Sequence, residues 1–250
     1  ADAVLDTASL AEDGLTLSLE CQEEILQLET QILNSIAAKA EEANCDESVY
    51  VGGSGPGIAY LMIKAAVMRG DRRLLMEARS FLLPWQSEVA EAASEEPDIG
   101  CSLLCGQAGW LCVHALWCNA AGDRHGAAQS AASYASLGNV AKSQEALDAN
   151  EWLYGRAGYL HGALLLRHVL GVESVPDGIL SAVADSILES GLDRAKRKKS
   201  SAPMMWKWSG REYLGAAHGV MGIVFMLLHI DSVVCDPSRK ELLMNTINWL

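Results

Sequence analysis

Ala217-His218-Gly219-Val220-Met221-Gly222 is the last of four glycine-containing turns in this chain of 250 residues, and each turn opens a short, almost wholly apolar segment. The other three turns are Val51-Gly52-Gly53-Ser54-Gly55-Pro56-Gly57, Cys105-Gly106-Gln107-Ala108-Gly109 and Tyr154-Gly155-Arg156-Ala157-Gly158. Their last glycines are Gly57, Gly109, Gly158 and Gly222, so successive repeats are 52, 49 and 64 residues apart. Recurrence near this period indicates a repeat architecture in which each repeat is one supersecondary unit.

Two kinds of helical segment alternate along these repeats. One kind is apolar on one face, which is typical of a helix that covers a core, and the other has almost no polar face, which is typical of a buried helix. Amphipathic or mixed helices are predicted over Leu17–Ala43, Asp71–Ala93 (with a break at Pro84), Asp123–Leu137, Pro176–Lys196 and Arg239–Leu250. Apolar helices are predicted over Gly57–Met68, Gly109–Ala121, Gly158–Leu170 and Gly222–Ile230.

The alternation predicts an all-α fold of two concentric helix layers, with the apolar helices inside. In this arrangement the glycines would allow positive φ and close backbone approach where the chain turns sharply into an inner helix. Inner helices that run in the same direction would bring the four turns together at one mouth. Unpaired N–H groups at the helix starts would then favour an anion or an enolate there.

The charge balance excludes some classes of function. A net charge of −13, from 19 basic and 32 acidic residues, argues against a general nucleic-acid surface, because phosphate binding needs clustered cations. The longest apolar runs are far shorter than the roughly 20 residues that span a bilayer. One cationic segment, Arg194–Pro203, is predicted as a basic loop. A solvated face is its plain interpretation, and a peripheral contact with a membrane surface or a localisation role is the alternative.

The ends of the chain and its cysteines suggest how the chain relates to a longer protein and in which compartment it is found. The sequence starts at Ala1 rather than at methionine and stops at Leu250 within an apolar helical pattern, so we expect a single domain over 1–250 that is part of a longer protein. The cysteine count is seven, and no secretory signal is visible. We interpret the cysteines as free thiols in a reducing compartment, which predicts a cytoplasmic protein.

The amino-acid sequence of the turns resembles that of the LanC-like family, the eukaryotic relatives of bacterial lanthionine cyclases. The resemblance covers about residues 45 to 250, although the first turn departs from the family pattern through an extra residue and Pro56. Four segments carry it: Leu104-Cys105-Gly106-Gln107-Ala108-Gly109, Asn150-Glu151-Trp152-Leu153-Tyr154-Gly155-Arg156-Ala157-Gly158-Tyr159, Pro203-Met204-Met205-Trp206-Lys207-Trp208 and Glu212-Tyr213-Leu214-Gly215-Ala216-Ala217-His218-Gly219.

The resemblance implies a fold and a chemistry. The fold is an (α/α)7 toroid, of which this chain would form an incomplete arc with four inner helices. The chemistry is zinc-dependent addition of a thiol, that of glutathione, to a dehydroamino acid in a protein or peptide, which forms a thioether. The family's zinc ligands lie in Trp-Cys-His-Gly and Cys-His-Gly motifs, and neither occurs in this sequence. We therefore expect this chain alone to be inactive; the alternative is a non-catalytic glutathione-binding or membrane-associated signalling scaffold.

Three residues are the site candidates. His218 is the catalytic candidate, because the matching histidine of the related cyclases is placed for acid–base work and imidazole suits proton transfer at cellular pH. The alternative is a buried histidine in a tight turn. Arg156 and Tyr154 are substrate-binding candidates, since arginine can bind a carboxylate or a phosphate in a bidentate manner. Alternatively, Arg156 pairs with an acid such as Glu151 and holds its loop.

Other patterns favour structural roles or other enzymes. A cluster of Cys101, Cys105, Cys112 and Cys118 with His114 lacks the paired spacing of a structural zinc site, so buried thiols are predicted. Trp110, Trp117, Trp206 and Trp208 are candidates for lining the mouth, with core packing as the alternative, above all for the first two. A toroidal glycosidase would need two carboxylates across the sugar bond, and the turns hold no acid between their glycines.

Overall fold

The computed structural model describes residues 18–39, 55–95, 100–143 and 149–250. These residues form helices and connecting turns, and the one β-type pairing among them is an isolated bridge between Trp208 and Arg211. The predicted all-α class is therefore confirmed. In the described residues no helix is both long and apolar enough to cross a membrane. The chain divides into two compact units, Ala1–Asn44 and Cys45–Leu250.

The first unit contains one described helix, α1 (Leu19–Lys39). The Ser18 hydroxyl accepts a hydrogen bond from the Cys21 N–H at 3.3 Å, which is the pattern of a helix N-cap. The helix was predicted over Leu17–Ala43; Leu17 and residues 40–43 lie outside the described residues.

The second unit contains ten described helices. In chain order they are α2 (Gly55–Arg69), α3 (Arg72–Leu82), α4 (Gln86–Glu95), α5 (Gln107–Ala121), α6 (Arg124–Ala141), α7 (Arg156–Leu170), α8 (Asp177–Lys198), α9 (Val220–Leu227), α10 (Asp231–Val234) and α11 (Pro237–Trp249). The four predicted apolar helices are α2, α5, α7 and α9, and each packs against the next one along the chain. A mixed helix covers each of them: α3 on α2, α6 on α5, α8 on α7 and α11 on α9. The two predicted layers are therefore present in this unit.

The inner helices run in the same direction. At their starts, the Ser102 hydroxyl before α5 donates to the Leu153 carbonyl before α7 at 3.4 Å. The Trp152 N–H before α7 donates to the Ala217 carbonyl before α9 at 3.2 Å. At the opposite ends, the last turns of α2, α5 and α7 line one cavity of about 640 Å³. Three of the four glycine turns thus follow one another at one end of the layer; residues 51–54 of the first turn lie outside the described residues.

The glycines serve close backbone approach rather than positive φ. Gly155 and Gly219 directly precede α7 and α9 with φ of −109° and −129°, so the predicted positive φ is wrong. A Cβ on Gly158 would lie 2.3 Å from the Trp152 carbonyl oxygen, and a Cβ on Gly222 would lie 1.9 Å from that of Ala216. Only a residue without a side chain allows the turn to fold back so closely on its helix.

Two local predictions have different outcomes. Pro84 breaks its segment as expected, because it lies in a single 3-10 turn (Leu83–Trp85) between α3 and α4. The prediction of a basic loop over Arg194–Pro203 is wrong for its first half, because α8 continues to Lys198. Lysine and arginine are good helix formers, and their charges are favourable at the negative end of the helix dipole.

Candidate functional site

The turns before α7 and α9, here called the third turn (Ala149–Gly155) and the fourth turn (Tyr213–Gly219), share one backbone pattern. In each, the first two N–H groups of the following helix donate to carbonyl groups seven residues earlier. The pairs are Arg156 to Ala149 (3.2 Å), Ala157 to Asn150 (3.3 Å), Val220 to Tyr213 (3.0 Å) and Met221 to Leu214 (3.0 Å). The prediction that these helix starts offer unpaired N–H groups to an enolate is therefore wrong for these four.

Glu151 links the two turns. Its side chain is 1 % exposed, and its carboxylate accepts hydrogen bonds from the backbone N–H groups of Leu153, at 2.8 Å, and Tyr154. The same carboxylate reaches the other turn, where its Oε2 lies 2.9 Å from Nδ1 of His218. Two backbone donors therefore fix the carboxylate, and the carboxylate in turn fixes the imidazole.

This pairing defines the chemistry open to His218. Because an ionised carboxylate can only accept, Nδ1 carries the hydrogen and Nε2 is the free nitrogen of the neutral ring. The His218 side chain is 27 % exposed, so the ring is in contact with solvent on one side. An imidazole with an orienting carboxylate behind it is the common arrangement of a general acid–base residue.

Three aromatic side chains surround this imidazole. The Trp208 indole stacks on it, with ring centroids 4.1 Å apart and planes 11° from parallel. The Tyr154 ring is nearly parallel to it, at 6.0 Å and 6°. Tyr213 is tilted against it by 51°, with centroids 5.9 Å apart. The catalytic candidate and one substrate-binding candidate, His218 and Tyr154, are thus neighbours.

Arg156, the other substrate-binding candidate, lies in the interior with no exposed surface. Its guanidinium donates to the carbonyl groups of Ala141 (2.6 Å) and Ser143 (2.8 Å) and to the amide oxygen of Asn150 (2.8 Å). The alternative pairing with Glu151 does not form, because that carboxylate is directed to Leu153, Tyr154 and His218. These contacts support the view that Arg156 holds the third turn against the end of α6.

The cysteine cluster does not form a metal site in the described part of the chain. Burial raises the pKa of the Cys112 thiol to about 12. Burial, and after it the nearby Asp123 carboxylate, raise the pKa of Cys118 to about 11, whereas burial lowers the pKa of His114. High thiol pKa values disfavour the thiolate that binds metal. Among the described residues, no three His, Cys, Asp or Glu side chains come together to hold a metal ion, so these residues do not fit the zinc that the resemblance implies.

Sequence reasoning missed one residue of this site and left another undecided. Glu151 was considered only as a partner of Arg156, although an acid in an otherwise apolar turn was a signal that a buried charge needs a partner. Trp208 was one of four candidates for the mouth and is the one that contacts His218. The indole N–H groups of Trp110, Trp117 and Trp206 donate instead to backbone carbonyl groups of neighbouring helices, as core residues do.

Comparisons with known proteins identify the family of this chain. A family model described as lanthionine synthetase C-like protein matches residues 22–250. Glutathione S-transferase LANCL1 of Danio rerio is 26% identical over 227 residues, which cover 88% of this chain and 52% of that relative. The chain therefore spans about half the length of this relative. Because the family model matches most of the chain, the chain belongs to the lanthionine synthetase C-like family, whose fold is an (α/α) toroid.

Proposed function

We propose that the protein to which this chain contributes adds the thiol of glutathione to dehydroamino acids in proteins or peptides and forms a thioether. The name of the Danio rerio relative, a glutathione S-transferase, supports glutathione as the thiol. The single observation that carries the proposal is the Glu151–His218 pair, which joins a buried carboxylate to a partly exposed imidazole at 2.9 Å. Such a pair serves a reaction that needs a proton at one defined atom.

The proton is needed in the second half of the addition. The sulfur of the thiolate forms a bond to the β-carbon of the acceptor's double bond, and the π electrons move onto the neighbouring carbonyl as an enolate. His218, protonated on Nε2, delivers that proton to the α-carbon, and the enolate becomes an ordinary carbonyl group. Glu151 stabilises the imidazolium before the transfer and holds Nδ1–H afterwards. The thiol proton returns the pair to its starting state, so one thiol and one alkene give one thioether.

Activation of the thiol is not assigned to the described residues. The resemblance places it on zinc, and the zinc motifs do not occur in this sequence. We therefore expect the 250-residue chain by itself to leave the reaction incomplete. A cytoplasmic location with peripheral membrane contact remains part of the proposal; the cations at the end of α8 support the contact.

The test measures the glutathione adduct of a dehydroalanine peptide by mass spectrometry. The proteins compared are the 250-residue chain and the longest natural polypeptide that contains it. We expect adduct only from the longer protein, and we expect Glu151→Gln and His218→Gln to slow it by about 10²- to 10⁴-fold, the usual contribution of a positioned acid or base. His125→Gln, at an exposed histidine of α6, is the matched control and is expected to match wild type.

Each other outcome counts against a defined part of the proposal. Unchanged rates of adduct formation in Glu151→Gln and His218→Gln would contradict a catalytic role of the Glu151–His218 pair. Adduct formed by the 250-residue chain at the rate of the longer protein would contradict its incompleteness. Glutathione binding by calorimetry without any adduct would favour the scaffold alternative over the enzyme.

A further inference from the structure

We infer that Trp208 is a positioning residue, which holds the His218 imidazole in one plane so that Nδ1 stays on Glu151 and Nε2 keeps one direction. This inference deepens the proposed function and rests on it for the catalytic consequence. The structural part stands on the stacking geometry and on the backbone that presents the indole.

The indole covers His218 and Tyr154 together. The Trp208 ring centroid lies 4.1 Å from that of His218 and 5.5 Å from that of Tyr154, while these two lie 6.0 Å apart. All three planes agree within 11°. With stacked rings about 3.5 Å apart, these distances fit one arrangement, in which His218 and Tyr154 lie side by side under the same face of the indole. Rotation of the imidazole out of its plane would drive it into the indole above it.

The backbone places this indole independently of His218. Trp208 and Arg211 exchange N–H···O hydrogen bonds of 2.9 and 3.0 Å, and the two residues between them have φ of +48° (Ser209) and +79° (Gly210). Positive φ at both central positions defines a type I′ turn, a rigid two-residue connection. The next residue, Glu212, is held by an ion pair with Arg194 at 2.7 Å. The Trp208 side chain is half-buried at this anchored turn.

Two constraints are needed because each fixes a different freedom. The hydrogen bond to Glu151 restrains one atom of the imidazole, Nδ1, and still allows the ring plane to tilt through coupled changes of χ1 and χ2. The indole face fixes the plane. Together they determine where Nε2 points, and a misplacement of about 1 Å at a reacting atom can cost about 10²-fold in rate.

The test reads the imidazole directly by ¹⁵N and ¹H NMR of histidine-labelled 250-residue chain, with His218→Gln used for assignment. In wild type and Trp208→Phe we expect a predominant Nδ1–H tautomer with a proton protected from solvent exchange. In Trp208→Ala we expect the ratio of Nδ1–H to Nε2–H to fall about two- to tenfold, the range that one ring–ring contact is worth, with faster exchange of that proton. Trp249→Phe is the control, because Trp249 lies at the end of α11 and its indole N–H donates a hydrogen bond to the Ser201 hydroxyl.

A second variant keeps the test decisive if Trp208→Ala does not fold. Gly210→Val retains the indole but places a β-branched residue at φ +79°, which such residues avoid, so the turn should open and the tautomer ratio should fall as in Trp208→Ala. An unchanged ratio and exchange rate in Gly210→Val and in a folded Trp208→Ala would overturn the inference.

Activity of the longer protein separates this inference from the proposed function. We expect Trp208→Ala to lower kcat about tenfold or more with little change in KM, and Trp208→Phe to restore most of it. The expected NMR change in a protein that forms no adduct would leave the positioning role intact and defeat the proposed function. Adduct formation at wild-type kcat in Trp208→Ala would defeat the positioning role and leave the proposed function intact.

Discussion

The third and fourth turns share one backbone and differ in their side chains. Both fold back on the following inner helix with the same pair of hydrogen bonds across seven residues. Tyr154 and His218 occupy the same position, directly before the glycine that caps the helix. At the position where the third turn has Glu151, the fourth has Gly215. The Glu151–His218 pair therefore depends on the difference between two copies of one turn, because one copy supplies the carboxylate and the other supplies the imidazole.

The second turn extends the comparison. Ser102 stands where Glu151 stands in the third turn, and its hydroxyl accepts from the Cys105 N–H at 3.1 Å, as the Glu151 carboxylate accepts from the Tyr154 N–H. In both turns the side chain at this position accepts a hydrogen bond from the backbone N–H three residues later and so closes its own turn. Glu151 performs that task and has a second oxygen left to bind His218, which the shorter serine at this position lacks.

The largest expected effect concerns the shared backbone. In Gly222→Ala and Gly158→Ala the new Cβ meets a backbone oxygen at 1.9 and 2.3 Å, and backbone cannot move aside cheaply. We expect each substitution to lower the free energy of unfolding by more than about 3 kcal/mol, the upper range for overpacking, with Gly222 the more sensitive. Urea-induced unfolding of each variant and of wild type measures this difference in the free energy of unfolding.

The matched control for that prediction is Gly178→Ala in α8, where a Cβ meets nothing within 4 Å. There the loss of chain flexibility should stabilise the protein by about 0.5–1 kcal/mol. Equal stability of Gly222→Ala and Gly178→Ala would show that the turns do not need close approach.

The next effect concerns the first helix residue after each turn, which is Arg156 after the third turn and Val220 after the fourth. Arg156→Met removes the donor to the buried Ala141 carbonyl group, to the partly buried Ser143 carbonyl group and to Asn150. We expect a loss of about 2 to 3 kcal/mol in the free energy of unfolding, because the buried Ala141 carbonyl group loses the donor that Arg156 supplies. Arg211→Met, at an exposed arginine, should stay within about 0.5 kcal/mol of wild type. Full stability combined with weaker peptide binding would instead support Arg156 as a substrate-binding residue.

The smallest expected effect concerns Tyr154, which occupies the position in the third turn that His218 occupies in the fourth. Tyr154→Phe keeps the ring beneath Trp208 and removes a hydroxyl that makes no hydrogen bond within the described residues, so stability should change by less than about 0.5 kcal/mol. If Tyr154 binds substrate, as predicted, the acceptor KM of the longer protein rises severalfold at constant kcat. Steady-state kinetics on the dehydroalanine peptide measures this; an unchanged KM would remove Tyr154 from the substrate-binding residues.

Much of the fold could be predicted, because it follows from short-range patterns. Apolar periodicity located all four inner helices, and the conformational restriction of proline located the break at Pro84. The mistakes have local reasons too. A glycine in a turn is compatible with positive φ and with close approach, and the residue type does not tell which is used. The charges of Arg194–Lys198 indicated solvent exposure, which a loop and the last turn of a helix share.

The site could be predicted only in part. His218 was found because the turn motif that contains it resembles a known family. Arg156 was left between two roles, because two of its three acceptors, the carbonyl groups of Ala141 and Ser143, lie at and just beyond the end of α6, outside the third turn. The role of Glu151 escaped because its partner is 67 residues away and the carboxylate also closes its own turn.

The sequence by itself determined that this chain forms apolar helices behind glycine turns, since helix formation and turn chemistry act over a few residues. Only the tertiary structure decided that Glu151 meets His218 and that Trp208 stacks on His218 and Tyr154. That decision depends on α7 lying beside α9 in the same direction, which brings together side chains from separate turns that no local pattern connects.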